Sequence, residues 1–90
     1  MSNIDRSAVP ALKPMFRFQW EPAQECHVLL YPEGMVRLSH SAGEILKRVD
    51  GERSVDTLIG ELRDAFGGAE LDADVLAFLE QARENGWITL

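Results

Sequence analysis

The chain is short, moderately apolar and acidic. It has 90 residues, of which 46% are hydrophobic, and its net charge is −6 at neutral pH. Such a length allows one domain with a modest core and leaves little room for a deep enzyme pocket. The negative charge disfavours nucleic acid as a partner, because the phosphate backbone would repel the protein.

Signals for a membrane, for secretion or for disulfide bonds are missing from the sequence. No apolar run approaches the ~20 residues that span a bilayer, and the N-terminus lacks the apolar stretch of a signal peptide. Cys26 is the only cysteine, which excludes an intrachain disulfide, and its place in an apolar strand pattern is typical of a small buried side chain. We therefore expect a cytoplasmic protein with no membrane partner.

The start of the chain differs from the remainder. Residues 1–14 contain Pro10 and Pro14 and show no hydrophobic periodicity. Segments of this kind are typical of mobile termini. The sequence thus predicts a flexible N-terminal arm over residues 1–14, followed by a single domain over residues 15–90.

Three strands are predicted after this arm. Residues 16–21 alternate between apolar and polar side chains, which is typical of a half-buried strand. Residues 26–31 are apolar on both faces, which favours a central strand. A turn follows, in which Pro32 presets φ and Gly34 can adopt a positive φ. Residues 35–38 alternate again, so the pattern predicts a three-stranded antiparallel meander.

Three amphipathic helices follow the sheet, because apolar residues recur at helical spacing in each segment. The third helix is apolar over a wide arc, with Leu76 and Arg83 on one flank and Phe78 on the other. The element order predicts an α+β, winged-helix-like fold, with an N-terminal three-stranded antiparallel sheet followed by a three-helix bundle. Capping signals indicate helix starts at Ser41, Ser54 and Asp72 and helix ends at Gly51, Gly67 and Gly86.

Residues arranged for catalysis or metal binding are scarce. Cys26 and His27 are adjacent, so a strand directs them to opposite faces. His40 has no second ligand at a spacing that suits a metal. Gly67 and Gly68 end a helix, whereas a phosphate-binding loop precedes one. We predict no catalytic residue, no metal and no cofactor.

A winged-helix-like fold often binds DNA through a recognition helix. Here the third helix carries Asp72, Asp74, Glu80 and Glu84 against the single cation Arg83. The phosphates of DNA would repel such a surface. The predicted partner is therefore a protein or a peptide.

Several segments resemble one known family. The most specific is Leu-Leu-Tyr-Pro-Glu-Gly-Met at residues 29–35, which is accompanied by Phe-Gln-Trp-Glu at 18–21, Asp-Gly-Glu-Arg-Ser-Val at 50–55 and Gly-Trp at 86–87. The resemblance extends over roughly residues 16–88, in which these segments are spread. In this region the chain resembles the PqqD family, the small carrier proteins of pyrroloquinoline quinone biosynthesis.

The resemblance implies a non-catalytic peptide chaperone and adaptor. Members of this family hold the precursor peptide PqqA and present it to the radical S-adenosylmethionine enzyme PqqE, which joins a glutamate and a tyrosine side chain of the precursor. The iron–sulfur clusters and S-adenosylmethionine belong to that enzyme. The resemblance thus implies no cofactor in this chain.

The resemblance also implies where the peptide binds. The leader of the precursor adds as a strand beside the third strand and lies against the third helix, a mode that uses main-chain hydrogen bonds for affinity. We expect one flank of the third helix to line this groove, and Phe78 on the other flank is the alternative. Arg37 and Arg83 are the cations best placed to meet acidic side chains. The predicted peptide-binding residues are Met35, Val36, Arg37, Leu38, Ser39, Leu76, Leu79 and Arg83.

Two other functions are compatible with the same sequence. One is a leader-peptide adaptor of the same fold in another modified-peptide pathway. The other is an acidic winged-helix regulator that works through protein contacts. Whichever function applies, we expect a monomer, although the unpaired strand edge would permit a strand-exchanged dimer.

Overall fold

A computed structural model describes residues 4–90 of the chain. An antiparallel three-stranded sheet precedes three helices, and this arrangement confirms the predicted α+β fold. Two very short strands near the ends of the chain form a separate pair. The elements are β1 (Ala11–Leu12), β2 (Arg17–Glu21), β3 (Cys26–Tyr31), β4 (Gly34–Arg37), α1 (His40–Leu46), α2 (Val55–Ala65), α3 (Asp72–Glu84) and β5 (Ile88–Thr89).

The three-stranded sheet has the order β2-β3-β4 and buries one of its faces under the helices. Phe18, Leu29 and Val36 lie side by side in one row of paired residues. Directly paired residues project from the same face of a sheet. Since Leu29 is completely buried and Phe18 and Val36 pack against the same cluster, this row faces the core.

The β3–β4 turn differs from the prediction in its glycine. Tyr31 pairs with Gly34, so the loop consists of Pro32 and Glu33 alone. Gly34 is not among the described residues with positive φ. Proline at the second position and glycine at the fourth suit a type I turn, which needs no left-handed residue.

The start of α1 lies earlier than the sequence indicated. The N-cap is Ser39, whose hydroxyl oxygen accepts the Ala42 N–H at 3.1 Å. The predicted cap, Ser41, lies inside the first turn, with its hydroxyl 3.3 Å from that of Ser39. Glu44, the predicted partner in a capping box, accepts instead from the Arg48 guanidinium at 3.1 Å. The capping box is therefore wrong, because the chain leaves the sheet directly into the helix.

The predicted start is confirmed for α2 and wrong for α3. Ser54 caps α2 as predicted, since its hydroxyl oxygen accepts the Thr57 N–H at 3.1 Å. The N-cap of α3 is Leu71, which makes no side-chain capping bond, and Asp72 is the first helical residue. The Asp72 carboxylate pairs with Arg6 at 3.0 Å instead of capping its own helix.

The described part of the N-terminal segment packs against the helices, whereas the flexibility of the arm over residues 1–14 stays a prediction. Pro10 is completely buried, and β1 pairs with β5 in an antiparallel manner. The carbonyls of Ala8 and Arg6 accept the N–H groups of Val55 and Asp56, each at 2.9 Å. The first N–H groups of a helix have no partner within it, so this segment supplies acceptors to α2. Residues 1–3 of the predicted arm lie outside the described residues.

The core lies between the inner face of the sheet and the three helices. The predicted apolar stripes of α2 and α3 are buried, which confirms the helical spacing. Phe66, predicted as the last member of the α2 stripe, is the exception because it is 40% exposed at the end of the helix. Within residues 4–90, no helix has the length and apolar character to cross a membrane. The buried stripe residues are Val55, Leu58, Ile59, Leu62, Val75, Leu79 and Ala82.

Candidate peptide-binding site

The outermost strand, β4, has one unpaired edge within residues 4–90, because β3 is its only neighbour there. The Leu38 N–H donates to the His27 carbonyl at 3.0 Å. Bonded positions alternate along an antiparallel ladder. Val36 and Leu38 therefore direct their N–H and C=O groups towards β3. Met35 and Arg37 direct theirs towards the unpaired edge, where another strand can bond to them.

The side chains along β4 alternate in the same way. Leu38 is buried and Val36 is half-buried, both on the core side. Met35 is 42% exposed, and Arg37 is exposed with its guanidinium donating to the Gln24 side-chain oxygen at 2.9 Å. The predicted edge is thus accessible through the backbone of Met35 and Arg37, whereas Leu38 is held inside the core.

A small cavity opens beside the end of β4, between α1, the end of α2 and the first half of α3. Its volume is about 220 Å³, below the roughly 300–1,000 Å³ of small-molecule sites. Its walls are mainly apolar, and Asp74 and two serine hydroxyls are its polar groups. This size and lining suit an apolar side chain of a peptide. The lining residues are Ser39, Ser41, Ala42, Ile45, Leu62, Phe66, Leu71, Asp74, Val75 and Phe78.

Two aromatic residues border this cavity. Phe66 ends α2, and its ring lies edge-on to the ring of His40 at 6.3 Å between centroids. Phe78 is half-buried on α3, with its ring 6.5 Å from that of Trp87. Rings that are partly exposed next to a cavity supply apolar contact area at a low cost in side-chain entropy.

The structure does not bring the predicted wall of α3 to this cavity. Leu79 is completely buried in the core. Leu76 is half-buried, and Arg83 pairs with Glu80 on the same helix. The alternative residue Phe78 lines the cavity, because a step of two residues turns about 200° around a helix and separates it from Leu76. A role of Leu76, Leu79 and Arg83 in peptide binding stays a prediction.

Of the ten residues that line the cavity, sequence reasoning placed only Ser39 and the alternative Phe78 in the site, and the eight that it missed include Ser41, Phe66 and Asp74. Asp74 precedes Phe78 by four residues, so both lie on one face of α3. That spacing was a usable signal once the Phe78 flank was considered. Phe66 gave no such signal, since its spacing matched the buried stripe of α2.

Hydrogen bonds lower the pKa of three carboxyl groups that lie away from the cavity. The hydroxyl and N–H of Ser7 lower the pKa of Asp5. The Arg48 guanidinium lowers the pKa of Glu44, and backbone N–H groups, first that of Arg53, lower the pKa of Asp50. Each carboxylate accepts hydrogen bonds that hold a local turn or helix.

In residues 4–90, no three His, Cys, Asp or Glu side chains are grouped to hold a metal ion.

Comparisons with known proteins give consistent results. The family model for "Coenzyme PQQ synthesis protein D (PqqD)" matches residues 26–88. A "PqqA binding protein" of Azotobacter vinelandii (strain DJ / ATCC BAA-1303) is 54% identical over 91 residues, which cover 100% of this chain and 99% of the relative. A "PqqA binding protein" of Pseudomonas aeruginosa (strain UCBPP-PA14) is 56% identical with the same coverage.

A solved structure shares the fold. It is the solution NMR structure of the PqqD truncation of Methylobacterium extorquens PqqCD, described as a functional and stand-alone recognition element for ribosomally synthesised and post-translationally modified peptides. The TM-score is 0.81 at 26% identity, with 99% of this chain and 97% of that chain covered. The family match spans most of the chain, and the relatives match it along its entire length. The chain therefore belongs to the PqqD family.

Proposed function

We propose that this protein is a non-catalytic peptide chaperone of pyrroloquinoline quinone biosynthesis. It binds the precursor peptide PqqA and presents it to the radical S-adenosylmethionine enzyme PqqE, as a cytoplasmic monomer without a cofactor of its own. Family membership and relatives described as "PqqA binding protein" support this proposal. The unpaired edge of β4 is the structural observation that carries it.

The proposed binding mode is the addition of the PqqA leader as a fourth strand. The outward N–H and C=O groups of Met35 and Arg37 bond to the peptide backbone, as in other cases of strand addition. Each such bond contributes about 0.5–1.5 kcal/mol net. These backbone bonds give affinity without selecting a sequence, so specificity has to come from side chains.

The cavity beside Ser39 supplies that specificity. Alternate side chains of an added strand point to the two faces of the sheet. Those on the inner face lie towards the helices, where the cavity offers an apolar lining and the Asp74 carboxylate. We therefore assign Phe78 and Asp74 to the wall of the groove in preference to Leu76 and Arg83.

Presentation needs only part of the precursor to be held. A leader bound along β4 leaves the remaining residues of PqqA free for the enzyme. Holding the leader also raises the local concentration of the reacting segment when the enzyme is bound to the same carrier. The chaperone thereby assists a reaction without contributing a catalytic group.

Amide exchange measured with and without PqqA tests the binding mode. The Val36 and Leu38 N–H groups already bond to β3, so we expect them to be protected in the free protein. The Met35 and Arg37 N–H groups should exchange quickly in the free protein and become protected when PqqA binds. Fast exchange at Met35 and Arg37 in the presence of saturating PqqA would contradict strand addition.

Substitution of Arg37 separates the contribution of its N–H from that of its side chain. Arg37→Pro removes the outward N–H, and we expect PqqA to bind about five- to tenfold more weakly than to Arg37→Ala. Val36→Pro is the matched control, since it removes an N–H that bonds to β3 and should mainly lower stability. Equal PqqA affinity of Arg37→Pro and Arg37→Ala would count against the proposal.

Alanine substitutions on α3 identify the flank that the peptide contacts. We expect Phe78→Ala to weaken PqqA binding several-fold and Leu76→Ala to leave it within about twofold, once both variants are confirmed as folded. Calorimetric titration measures both affinities. If Leu76→Ala weakened PqqA binding more than Phe78→Ala, the peptide would contact the flank of Leu76 and Arg83 instead.

A further inference from the structure

The three-stranded sheet has a second face, turned away from the helices. The strand register places Arg17, Leu30 and Met35 side by side in one row of this face. The alternate row, which contains Leu29, points into the core. Successive residues of a strand point to opposite faces, so the row with Leu30 faces outward. No other element of residues 4–90 pairs with β2 or β4 to extend this sheet.

The next row of this face repeats the pattern. It contains Gln19, Val28 and Arg37. Val28 is completely buried although it lies on the side away from the helices. The Arg37 guanidinium bonds to Gln24 at 2.9 Å. Because Val28 is not accessible, we call the surface formed by Arg17, Leu30, Met35 and Arg37 the outer sheet face.

Apolar atoms are accessible in the first row of the outer sheet face. Met35 is 42% exposed, and Met15, which leads into β2, is 58% exposed. A shallow depression of about 300 Å³ lies at this end of the sheet, lined in part by Met15, Arg17 and Leu30. Exposed methionines are adaptable contact residues at protein interfaces.

In the described part of the chain, the two arginines of the outer sheet face lack a carboxylate partner, unlike most other cations of this acidic protein. Arg17 and Arg37 have no carboxylate within 4.0 Å among residues 4–90, whereas five of the nine lysines and arginines do. Guanidinium groups without a carboxylate partner, placed around apolar side chains, favour a partner surface that carries carboxylates. The five paired cations are Arg6, Arg48, Arg53, Arg63 and Arg83.

The position of this face relative to β4 links it to the peptide. A strand added to the unpaired edge of β4 continues the sheet, so half of its side chains project onto the outer sheet face beside Met35 and Arg37. A protein that rests on this face therefore contacts the carrier and the bound peptide together.

We infer that the outer sheet face docks the enzyme that receives the peptide, through a carboxylate-rich patch around an apolar contact. This inference rests on the proposed function, because it assigns a surface to the presentation of PqqA. Attraction between the two arginines and the carboxylates steers the encounter, and the contact of Leu30 and Met35 slows dissociation.

The test compares Arg17→Glu with wild type, using purified PqqE from the same organism and the peptide-loaded carrier. Arg17 lies on β2, two strands or roughly 10 Å from the edge of β4, so its substitution leaves the peptide groove intact. We expect PqqE to bind Arg17→Glu at least tenfold more weakly, while the PqqA affinity stays within twofold. Arg17→Lys keeps the charge and should retain most of the PqqE affinity. Binding of wild type should weaken as salt rises from ~50 to ~300 mM.

Lys47→Glu is the matched control. Lys47 is exposed at the end of α1 and has no carboxylate within 4.0 Å among residues 4–90, and the charge change is the same. We expect the PqqE and PqqA affinities of Lys47→Glu to stay within twofold of wild type. If Lys47→Glu weakened PqqE binding as much as Arg17→Glu does, the change in net charge would explain both losses. That result would overturn the inference.

The remaining outcomes separate this inference from the proposed function. Equal PqqE affinity of wild type and Arg17→Glu would refute the docking surface and leave presentation standing. If wild type binds PqqA but not PqqE, presentation and the docking surface both fail, while peptide binding stands. Self-association of wild type that Arg17→Glu abolishes would identify a second copy as the occupant and also overturn the inference.

Discussion

Ser39 connects the unpaired strand to the helices. Its backbone is extended, with φ −66° and ψ 167°, and its hydroxyl caps α1 through the Ala42 N–H. The same residue lines the cavity beside β4. The local sequence indicated Ser41 as the cap, but the position of the cap depends on where the strand ends. Since the Leu38 N–H still bonds to β3, the helix begins immediately after it.

Substitution of the two serines tests this assignment. We expect Ser39→Ala to lower the free energy of unfolding by about 1 kcal/mol, because an N–H of the first turn loses its acceptor. Ser41→Ala should change it by less than about 0.5 kcal/mol. Urea unfolding measures both values. If Ser41→Ala lost more unfolding free energy than Ser39→Ala, Ser41 would be the cap, as the sequence indicated.

Asp50 fixes the turn between α1 and α2. One of its carboxylate oxygens accepts the N–H groups of Arg53 at 3.0 Å and Glu52 at 2.9 Å. These bonds lower the pKa of Asp50 below its ordinary value of 3.8. A carboxyl group whose pKa is lowered on folding stabilises the protein above its unfolded pKa, and this contribution disappears as the pH falls through the folded pKa.

The stability of Asp50→Ala relative to wild type should therefore depend on pH. We expect the variant to be less stable at pH 7, by an amount that stays constant down to about pH 4 and then shrinks as the wild-type carboxylate is protonated. Urea unfolding at a series of pH values measures the difference. A difference that is the same at pH ~2 and pH 7 would show that the charge of Asp50 does not hold the turn.

At the scale of the elements, α1 and β3 approach each other closely at Gly43. A Cβ atom at this position would lie 2.8 Å from Nδ1 of His27. The His27 ring has little freedom to move, because it stacks on Phe18 at 4.7 Å and meets the edge of Trp20 at 5.1 Å. The glycine lets α1 lie close to the sheet, which positions Ser39 and the cavity.

Alanine at Gly43 should be harmful for this reason. We expect Gly43→Ala to lower the free energy of unfolding by about 1–3 kcal/mol, because the aromatic cluster has to shift. Gly60→Ala is the matched control, since a Cβ atom added at Gly60 in α2 would meet nothing within 4 Å beyond its own helix backbone, and alanine there should stabilise by about 0.5–1 kcal/mol. Thermal unfolding measures both variants. A lower midpoint temperature for Gly43→Ala and a higher one for Gly60→Ala would support this view, whereas an unchanged midpoint for Gly43→Ala would contradict it.

At the scale of the molecule, the N-terminal segment ties the two ends of the fold together. The Arg6 guanidinium pairs with Asp56 of α2 at 2.9 Å and with Asp72 of α3 at 3.0 Å. Further along, β1 pairs with β5, and Pro10 is buried. Exposed ion pairs contribute little to stability, so the buried proline and the backbone bonds are the main contribution of this segment.

Removal of residues 2–12 tests this contribution. We expect the truncated protein to lose roughly 2–4 kcal/mol of unfolding free energy, through lost apolar burial and unmade backbone bonds. Urea unfolding measures the loss. Residues 4–12, the described part of this segment, do not line the cavity beside β4, so the folded fraction should still bind PqqA. Equal stability of the truncated and full chains would favour the flexible arm that the sequence predicted.

Much of the fold could be predicted because its signals are local. Alternation over residues 16–21 and 26–31 predicted β2 and β3, and helical spacing predicted the buried faces of α2 and α3. Both periods can be recognised from residues that are close in sequence, without knowing which distant residues they contact. The family could be predicted as well, since the segment at residues 29–35 is specific to it.

Contacts between distant parts of the chain could not be predicted in this way. Residues 1–14 lack periodicity because two prolines and a two-residue strand are too short to show one, yet β5 and α2 bind the described part of this segment. The wide apolar arc of α3 did not indicate which of its flanks faces the cavity. Phe66 matched the α2 stripe, but at the end of the helix the core no longer covers it.

The sequence by itself determined the three-stranded sheet, the three helices, their α+β order, the acidic charge and the family of this protein. Only the tertiary structure decided that Met35 and Arg37 turn their N–H groups to the unpaired edge, that Phe78 instead of Leu76 lines the cavity, and that Arg17 shares an outward face with Arg37. The physical reason is that register and packing are relations between elements. A periodic pattern reports which residues are buried, but not which neighbour buries them.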